Sequence, residues 1–366
     1  MSRAVLWLSV ALLGWTHVGY GLVLALLARR VCESPPVPAD PPLVSLIVAA
    51  YREEAVIAAK VADALALDWP RDRLELIVAV DGGGDATAQR ARDAGADLVL
   101  ELPRGGKVRA QDAAVDHARG DLLAFSDANA AWEPGALRAL AAPFAQDPRV
   151  GYACGRVAFV GEAGTNQEGV YWRYEMWIRG HESALASVTA GNGAIYAVRP
   201  AAYARVDPRV SHDLSLPARL VREGWRAVDV AAARATEKMV PTVEGEWARK
   251  RRMMAHAWPM VVTGGLLDPR GYPPAYAAMV LSHRALRYAS PLLHVAAFAA
   301  SLRRHPLALA CQLGLLAAAA AGVRVRVRPL LLARYYVLTT ASIAAGLHDW
   351  LRHGTPAGWE AAEGTR

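Results

Sequence analysis

Apolar positions along the chain follow three successive patterns. Ala4 to Ala28 contains no Asp, Glu, Lys or Arg, and a helix needs about 20 such residues to cross the hydrocarbon core of a bilayer. From Leu43 the apolar runs shorten and alternate with helical spacing. Leu43 to Ala50, Leu74 to Val80, Leu98 to Leu100 and Leu122 to Ser126 read as buried strands. Between them Glu53 to Leu67, Thr87 to Ala94, Val108 to Ala118 and Gly135 to Ala142 have alanine-rich helical periodicity. That alternation predicts an α/β fold, a mostly parallel sheet with helices on both faces. After Pro273 long apolar stretches return: Ala275 to Leu302, His305 to Val323 and Pro329 to Leu347.

These shifts divide the chain into an N-terminal transmembrane anchor (1–30), a Pro-rich linker (31–42), an α/β domain (43–240), an amphipathic interface region (241–270), C-terminal transmembrane helices (271–350) and a tail (351–366). The anchor exceeds a signal peptide's apolar region and is closed by Arg29 and Arg30, so it reads as uncleaved, with the α/β domain in the cytoplasm. The five prolines between Ser34 and Pro42 cannot continue a helix and favour an extended spacer. His283, Arg284, Arg287 and Arg334 interrupt the C-terminal segments. A mid-membrane arginine costs about 2.5 to 3.5 kcal/mol on insertion scales, so these side chains are expected to face other helices, water or headgroups. Three crossings are expected there; the arginines in the intervening loops leave their sidedness open. Glu246 to Trp258 reads as an amphipathic helix at the membrane surface, arginine on one face and Met, Ala and Trp on the other.

Composition agrees with this division: 54% of the 366 residues are hydrophobic, while the middle of the chain is rich in charge. The net charge of +7 is carried mainly by arginine, with lysine only at Lys60, Lys107, Lys238 and Lys250. The basic residues are scattered and no nucleic-acid motif accompanies them, so no nucleic-acid partner is expected. Cys32, Cys154 and Cys311 are odd in number and lack metal spacing, which fits a reducing compartment.

In parallel sheets ligands bind beyond the carboxyl ends of the strands. Arg52, Glu53 and Glu54 follow the first expected strand, Asp81 the second, Asp127 and Asn129 the fourth. Each taken singly is equally a helix cap or an Asx-turn. The run Asp81-Gly82-Gly83-Gly84-Asp85 gives the backbone freedom to approach a ligand, but lacks dinucleotide and P-loop spacing. Asp127 and Asn129, two residues apart, offer oxygen to Mg2+ or Mn2+, which commonly binds through one or two carboxylates plus substrate phosphates.

Four segments in order, SLIVAAYREEAVI (45–57), VAVDGGGDAT (78–87), GGKVRAQDAAVDHARGDLLAFSDANAAWEPGAL (105–137) and SHDLSLPARLVREGW (211–225), resemble family 2 glycosyltransferases. The flanking apolar segments resemble those of bacterial membrane enzymes related to cellulose and poly-N-acetylglucosamine synthases and, more distantly, ceramide glucosyltransferases. The resemblance implies a GT-A fold, an integral protein of the bacterial inner membrane with a cytoplasmic catalytic domain, and a nucleotide-sugar donor, by resemblance a UDP-sugar.

It further implies roles for individual residues. Asp81 matches the acid that contacts the nucleotide base; Ala50, Tyr51 and Glu53 wall the same pocket; Lys107 lies near the donor. Asp127 is the first acid of a D-x-D motif and holds the metal, with Asn129 in place of the second acid. Asp213 is the general base of an inverting reaction and His212 replaces the acid before it, equally readable as a solvent-facing bystander. Gly191 and Gly193 belong to the acceptor-side strand. Trp172 and Trp177, with Glu175 and Arg179 nearby, either line an acceptor channel by stacking or pack against the sheet. In the place of a Q-x-x-R-W motif, Arg249 stands for the glutamine, Arg252 keeps the arginine as a diphosphate contact, and Met253 replaces the tryptophan, which weakens the case for processive synthesis.

The resulting expectation is a metal-dependent inverting hexosyltransferase acting on a lipid-linked or membrane-proximal saccharide acceptor. A processive polysaccharide synthase, a membrane nucleotidyltransferase and a catalytically degenerate scaffold are the alternatives.

Overall fold

Strand β1 (Val44–Ala50) and strand β2 (Leu74–Asp81) are buried at every position, because continuous apolar runs are stable only where both sheet faces are covered. The computed structural model containing them describes residues 2–28, 40–160, 167–238, 240, 243–302, 304–325 and 327–355. Arg29, Arg30, most of the proline-rich linker and most of the C-terminal tail lie outside the described residues. The sheet continues with β3 (Leu98–Leu102), β4 (Leu122–Asp127), β5 (Ala131–Trp132), β6 (Val150–Val160), β7 (Ile195–Val198) and β8 (Arg226–Lys238), in the spatial order β3-β2-β1-β4-β7-β6-β8-β5. Strands β1 to β4 pair in parallel. β7 is antiparallel to both β4 and β6, β8 is parallel to β6, and β5 is antiparallel to β8. Six strands therefore point the same way, and the carboxyl ends of β1, β2, β4, β6 and β8 share one edge with the start of β7.

Alternation along each strand divides its side chains between two cores. Val44, Leu46 and Val48 face a cluster that includes Ile57 and Val61 of α3 (Ile57–Leu65), Ala88 and Ala91 of α4 (Thr87–Asp93), and Leu137 and Leu140 of α6 (Ala136–Gln146). Ile47 and Ala49 face the opposite cluster, with Ala110 and Ala114 of α5 (Lys107–Val115) and Leu216 and Leu220 of α8 (His212–Arg222). Helices thus cover both faces, as the alternating pattern predicts. Helix α3 starts later than its periodicity suggests, because the Glu53 carbonyl accepts from the amides of Val56 and Ile57 in a turn. Arg52, just before it, holds the left-handed φ of 52° as β1 leaves the sheet.

The apolar ends form helices packed on this domain. The N-terminal segment is α1 (Ser2–Gly14) and α2 (Tyr20–Leu27), joined through a π-turn at Trp15–Gly19. After the domain helix α7 (Gln167–Leu185) come α9 (Val243–Val262), α10 (Pro274–Met279), a second π-turn at Val280–Ala285, α11 (Leu286–Ser301), α12 (Pro306–Ala321) and α13 (Arg328–His353). Two helices, Ser2–Leu27 and Arg328–His353, are long and apolar enough to cross a membrane by length and composition, while Pro306–Ala321 is apolar but shorter. The helix α13 runs past residue 350, into the stretch expected to be tail.

Three of the charged residues that interrupt the C-terminal segments, His283, Arg284 and Arg287, meet polar partners on α7 or just after it. Glu182, with no exposed surface, accepts from Tyr20 Oη at 2.7 Å and from the Thr189 amide at 3.1 Å, and lies 2.7 Å from His283 Nδ1. Arg287 pairs with Glu175, and Arg284 Nε donates to Thr189 Oγ1 at 2.9 Å. One buried polar network therefore joins the N-terminal helix, α7 and the π-turn before α11.

Candidate active site

The shared strand edge opens into a cavity of about 560 Å3. Its walls come from β4, α5, the approach to β7, the start of α8, the end of β8 and, opposite the sheet, α9 with Arg284, Tyr288 and Tyr335. Asp127 ends β4, and its carboxylate is ion-paired with Lys107 at the first position of α5. Lys107 Nζ also donates to the Gly193 carbonyl at 3.3 Å. Asp213 stands across from this pair in the first turn of α8, where the exposed backbone N–H groups of a helix start favour negative charge. Gly193 lies between them: a Cβ added there falls 3.5 Å from Lys107 Nζ and 4.0 Å from the Asp213 carboxyl carbon.

Gly191 lines the cavity and also meets a packing constraint. A Cβ on it falls 1.9 Å from the Tyr152 hydroxyl oxygen, so packing against Tyr152 demands glycine. Its amide donates to the Asp213 carbonyl at 2.6 Å, fastening the start of α8 to the segment before β7.

His212 is buried, which excludes the solvent-facing reading. Its Nδ1 lies 2.9 Å from the Tyr196 hydroxyl, and Phe125, Tyr196 and Tyr203 present their faces or edges around the ring. Burial, reinforced by Lys107, pushes its pKa down to about 3, so the imidazole is neutral.

Asp81 is 2% exposed, and its carboxylate is already engaged. It accepts from the amides of Gly105 at 2.6 Å and Gly106 at 2.9 Å and from Arg104 Nη1 at 2.5 Å. Arg104 in turn lies over the Tyr51 ring, 3.3 Å from its centroid. In this structure Asp81 anchors the loop ahead of α5, and that loop delivers Lys107 to the site. Ala50 is buried at the end of β1. Glu53 lines the cavity, its amide donating to Thr87 Oγ1 at 2.9 Å.

The two tryptophans separate. Trp172 lines the cavity, its Nε1 donating to the Val157 carbonyl at 2.6 Å. Trp177 is 38% exposed and lies outside the cavity lining, beside Tyr174, His181 and Gly21 of α2. Arg252 and Met253 of α9 both line the cavity, and Arg249 is paired with Glu246 at 2.9 Å.

Residues 45–205 match the family profile described as "Glycosyl transferase family 2". This segment is a family 2 glycosyltransferase domain. The protein is accordingly a glycosyltransferase. The mannosyltransferase PcManGT from Pyrobaculum calidifontis, solved with GDP-Man and Mn2+, is similar in structure at TM-score 0.76 and 22% identity, over 96% of this chain and 99% of that one. Glucosyl-3-phosphoglycerate synthase from Mycobacterium tuberculosis, solved with Mn2+, UDP and glucosyl-3-phosphoglycerate, aligns at TM-score 0.42 and 20% identity over 63% and 81%. No curated protein sequence matches the chain.

Two features of the glycosyltransferase site carry no sequence signal of their own. Behind the Asp127-Ala128-Asn129 turn, Lys60 is buried and donates to the Ala130 carbonyl at 2.7 Å; Asp63 beside it accepts the Trp132 amide at 3.0 Å. Burial draws the Lys60 pKa down to about 8, against the pull of Asp63. The second is Glu237, at the end of β8 and on the cavity wall. Burial first, and then the neighbouring Asp127 carboxylate, raise its pKa to about 7. A lysine is ordinary on an expected helix, and Glu237 falls on no expected element; only the fold brings Lys60 behind the turn and Glu237 to the cavity wall.

The donor set suits a hard divalent cation. Asp127 and Asn129 present oxygens at a strand edge inside the cavity, and Asp127 already attracts a cationic group, the Lys107 ammonium.

Proposed function

We propose that the enzyme transfers a sugar with inversion from a nucleotide-sugar to a lipid-linked or membrane-proximal acceptor, with Asp213 as the base. The observation that carries this reading is the placement of Asp213 across Gly193 from the Lys107–Asp127 pair. One carboxylate is engaged by a cation and suits the leaving-group side, while the other remains for the acceptor. Asp213 takes the proton of the acceptor hydroxyl. The hydroxyl oxygen bonds to the anomeric carbon as the anomeric C–O bond to the diphosphate breaks, and the nucleoside diphosphate leaves with that electron pair from the opposite face. General-base assistance of this kind is worth about a hundred- to ten-thousandfold.

Mg2+ or Mn2+, held by Asp127 and Asn129, supplies charge neutralisation on the departing diphosphate when bound. Lys107 is free to exchange its Asp127 contact for a donor phosphate, and Arg252 faces the same volume. Glu53, Tyr51 and Ala50 line the donor side, reached through the loop that Asp81 holds.

The membrane side of the reading rests on α1 and α2 together with α11 and α13. Two of these segments pass the length and hydropathy requirement for spanning, and Arg284, Tyr288 and Tyr335 from the C-terminal helices wall the catalytic cavity. An acceptor anchored in lipid therefore has a direct approach to Asp213. We place the catalytic domain on the cytoplasmic face of a bacterial inner membrane, in keeping with the positive-inside pattern at Arg29 and Arg30.

The test is a screen of UDP- and GDP-sugars for hydrolysis or transfer by the full-length protein in nanodiscs. UDP-sugars are suggested by the family resemblance, and GDP-mannose is what the similarly folded mannosyltransferase was solved with. Asp213→Asn should abolish transfer while nucleotide-sugar binding by calorimetry persists, and the product of the wild-type enzyme should have the anomeric configuration opposite to the donor's by NMR. Unchanged turnover in Asp213→Asn sinks the assignment of the base. A ladder of long products would favour a polymerising synthase over single transfer.

A further inference from the structure

The D-x-D position that holds Asn129 has lost a charge that a cation bound to a diphosphate would exploit. The strand β8 reaches the same place from another direction. It runs parallel to β6 and in the same sense as β4, so its carboxyl end lies on the edge where β4 delivers Asp127. β5, which comes directly after the Asp127-Ala128-Asn129 turn, pairs antiparallel with β8 in the register Ala131↔Thr236 and Trp132↔Ala235. Continuing that register by one residue puts Glu237 opposite Ala130, next to the turn itself.

The face is settled by alternation. Ala233 and Ala235 are wholly buried on one side of β8, and Glu237 is the next residue on that side, at the point where the apolar core gives way to the cavity. Its side chain lines the cavity together with Asp127, Asn129 and Lys107. Two carboxylates facing one cavity draw cations to it: Lys107 already pairs with Asp127 there, and a divalent cation that displaced the ammonium would be shared by both carboxylates.

We propose that Glu237 is a ligand of the divalent cation and supplies the negative charge that Asn129 cannot. This rests on the metal-dependent reading of the enzyme. Two carboxylates, one amide oxygen and the donor's phosphates form the kind of incomplete protein cage that Mg2+ and Mn2+ accept. The chain thus moves a metal carboxylate from the strand-end motif to a strand distant in sequence.

The experiment titrates Mn2+ into the full-length protein in nanodiscs with saturating UDP and, separately, GDP, monitoring the free Mn2+ signal by electron paramagnetic resonance. The expectation is that Glu237→Gln weakens Mn2+ binding by at least about tenfold, the lower bound of what even an outer-shell partner of a metal contributes. Asn129→Asp in the Glu237→Gln background should recover most of it. That double variant keeps the wild-type charge and serves as the decisive comparison if the single variant fails to fold. Mn2+ affinity unchanged in Glu237→Gln but lost in Asp127→Asn overturns the role of Glu237 while leaving the metal reading intact. A folded double variant without recovery also overturns it. A wild-type protein that takes up no Mn2+ with either nucleotide overturns both.

Discussion

Gly191 and Gly193 are separated by one residue yet answer to different constraints. Gly191→Ala pushes a methyl group into Tyr152, and overpacking of a tight core typically costs about 1 to 3 kcal/mol. Its melting temperature should therefore fall well below that of the wild type. In Gly193→Ala the new Cβ has ordinary van der Waals space; the protein should melt normally and lose transfer activity, because the methyl occupies the gap between Lys107 and Asp213. Equal melting temperatures for the two variants would contradict this division. His212 makes a pH prediction. Its pKa is about 6.5 unfolded and about 3 folded, so the unfolded state binds the extra proton and stability declines as pH falls through and below 6.5. The loss from this one group is about 2 kcal/mol between pH 7.5 and 5, and it should show as a drop in melting temperature that is smaller in His212→Gln.

Among the helices, α9 and α13 approach most tightly at Gly346, where an added Cβ would sit 2.5 Å from Met254 Cβ and 2.8 Å from the Ala255 amide nitrogen. Trp258 Nε1 donates to the Ile343 carbonyl at 2.9 Å, and Arg251 pairs with Asp349 at 2.5 Å, along the same seam. Small residues permit such contact where apolar helices meet. Gly346→Leu should separate the pair, lower the melting temperature and expose α9 to limited proteolysis. An unaltered digestion pattern would show that the seam tolerates the bulk.

How far the sequence reveals each element depends on what stabilises it. β1, β2 and β4 are visible as apolar runs because both faces are covered, whereas β3, expected to be buried, is a half-buried edge strand; Asp127, Lys107 and Asp213 are visible because their motifs are short and ordered. β8 is not: its alanine-rich sequence RAVDVAAARATEK has no clear strand period, and only pairing with β6 and β5 extends it. Glu237 is hidden for the same reason. Asp81 is legible as a strand-end acid, yet its engagement by Gly105, Gly106 and Arg104 depends on a loop whose path no local pattern specifies.

For the molecule as a whole, the network around Glu182 links parts that the sequence divides into separate regions. Removing one member of a buried charged set costs about 3 to 5 kcal/mol, because the partners remain buried without it. Glu182→Ala strips an acceptor from Tyr20, Thr189 and His283 together. The full-length variant should lose thermal stability by much more than Tyr20→Phe, which removes only one donor; similar losses in the two would mean that the network does not act as a unit. Deleting residues 1–28 should also destabilise the domain, since Tyr174 Oη donates to the His17 carbonyl at 2.7 Å and Ile178 packs against Tyr20 and Leu24.

The same network limits how such an enzyme is recombined. A chimera that grafts this catalytic domain onto the apolar helices of another glycosyltransferase must carry α1, α2, α7 and the turn containing His283 and Arg284 as one inherited block. A single crossover anywhere between α2 and α7, the proline-rich linker included, splits that block, so domain exchange needs two breakpoints that leave both ends of the network with one parent.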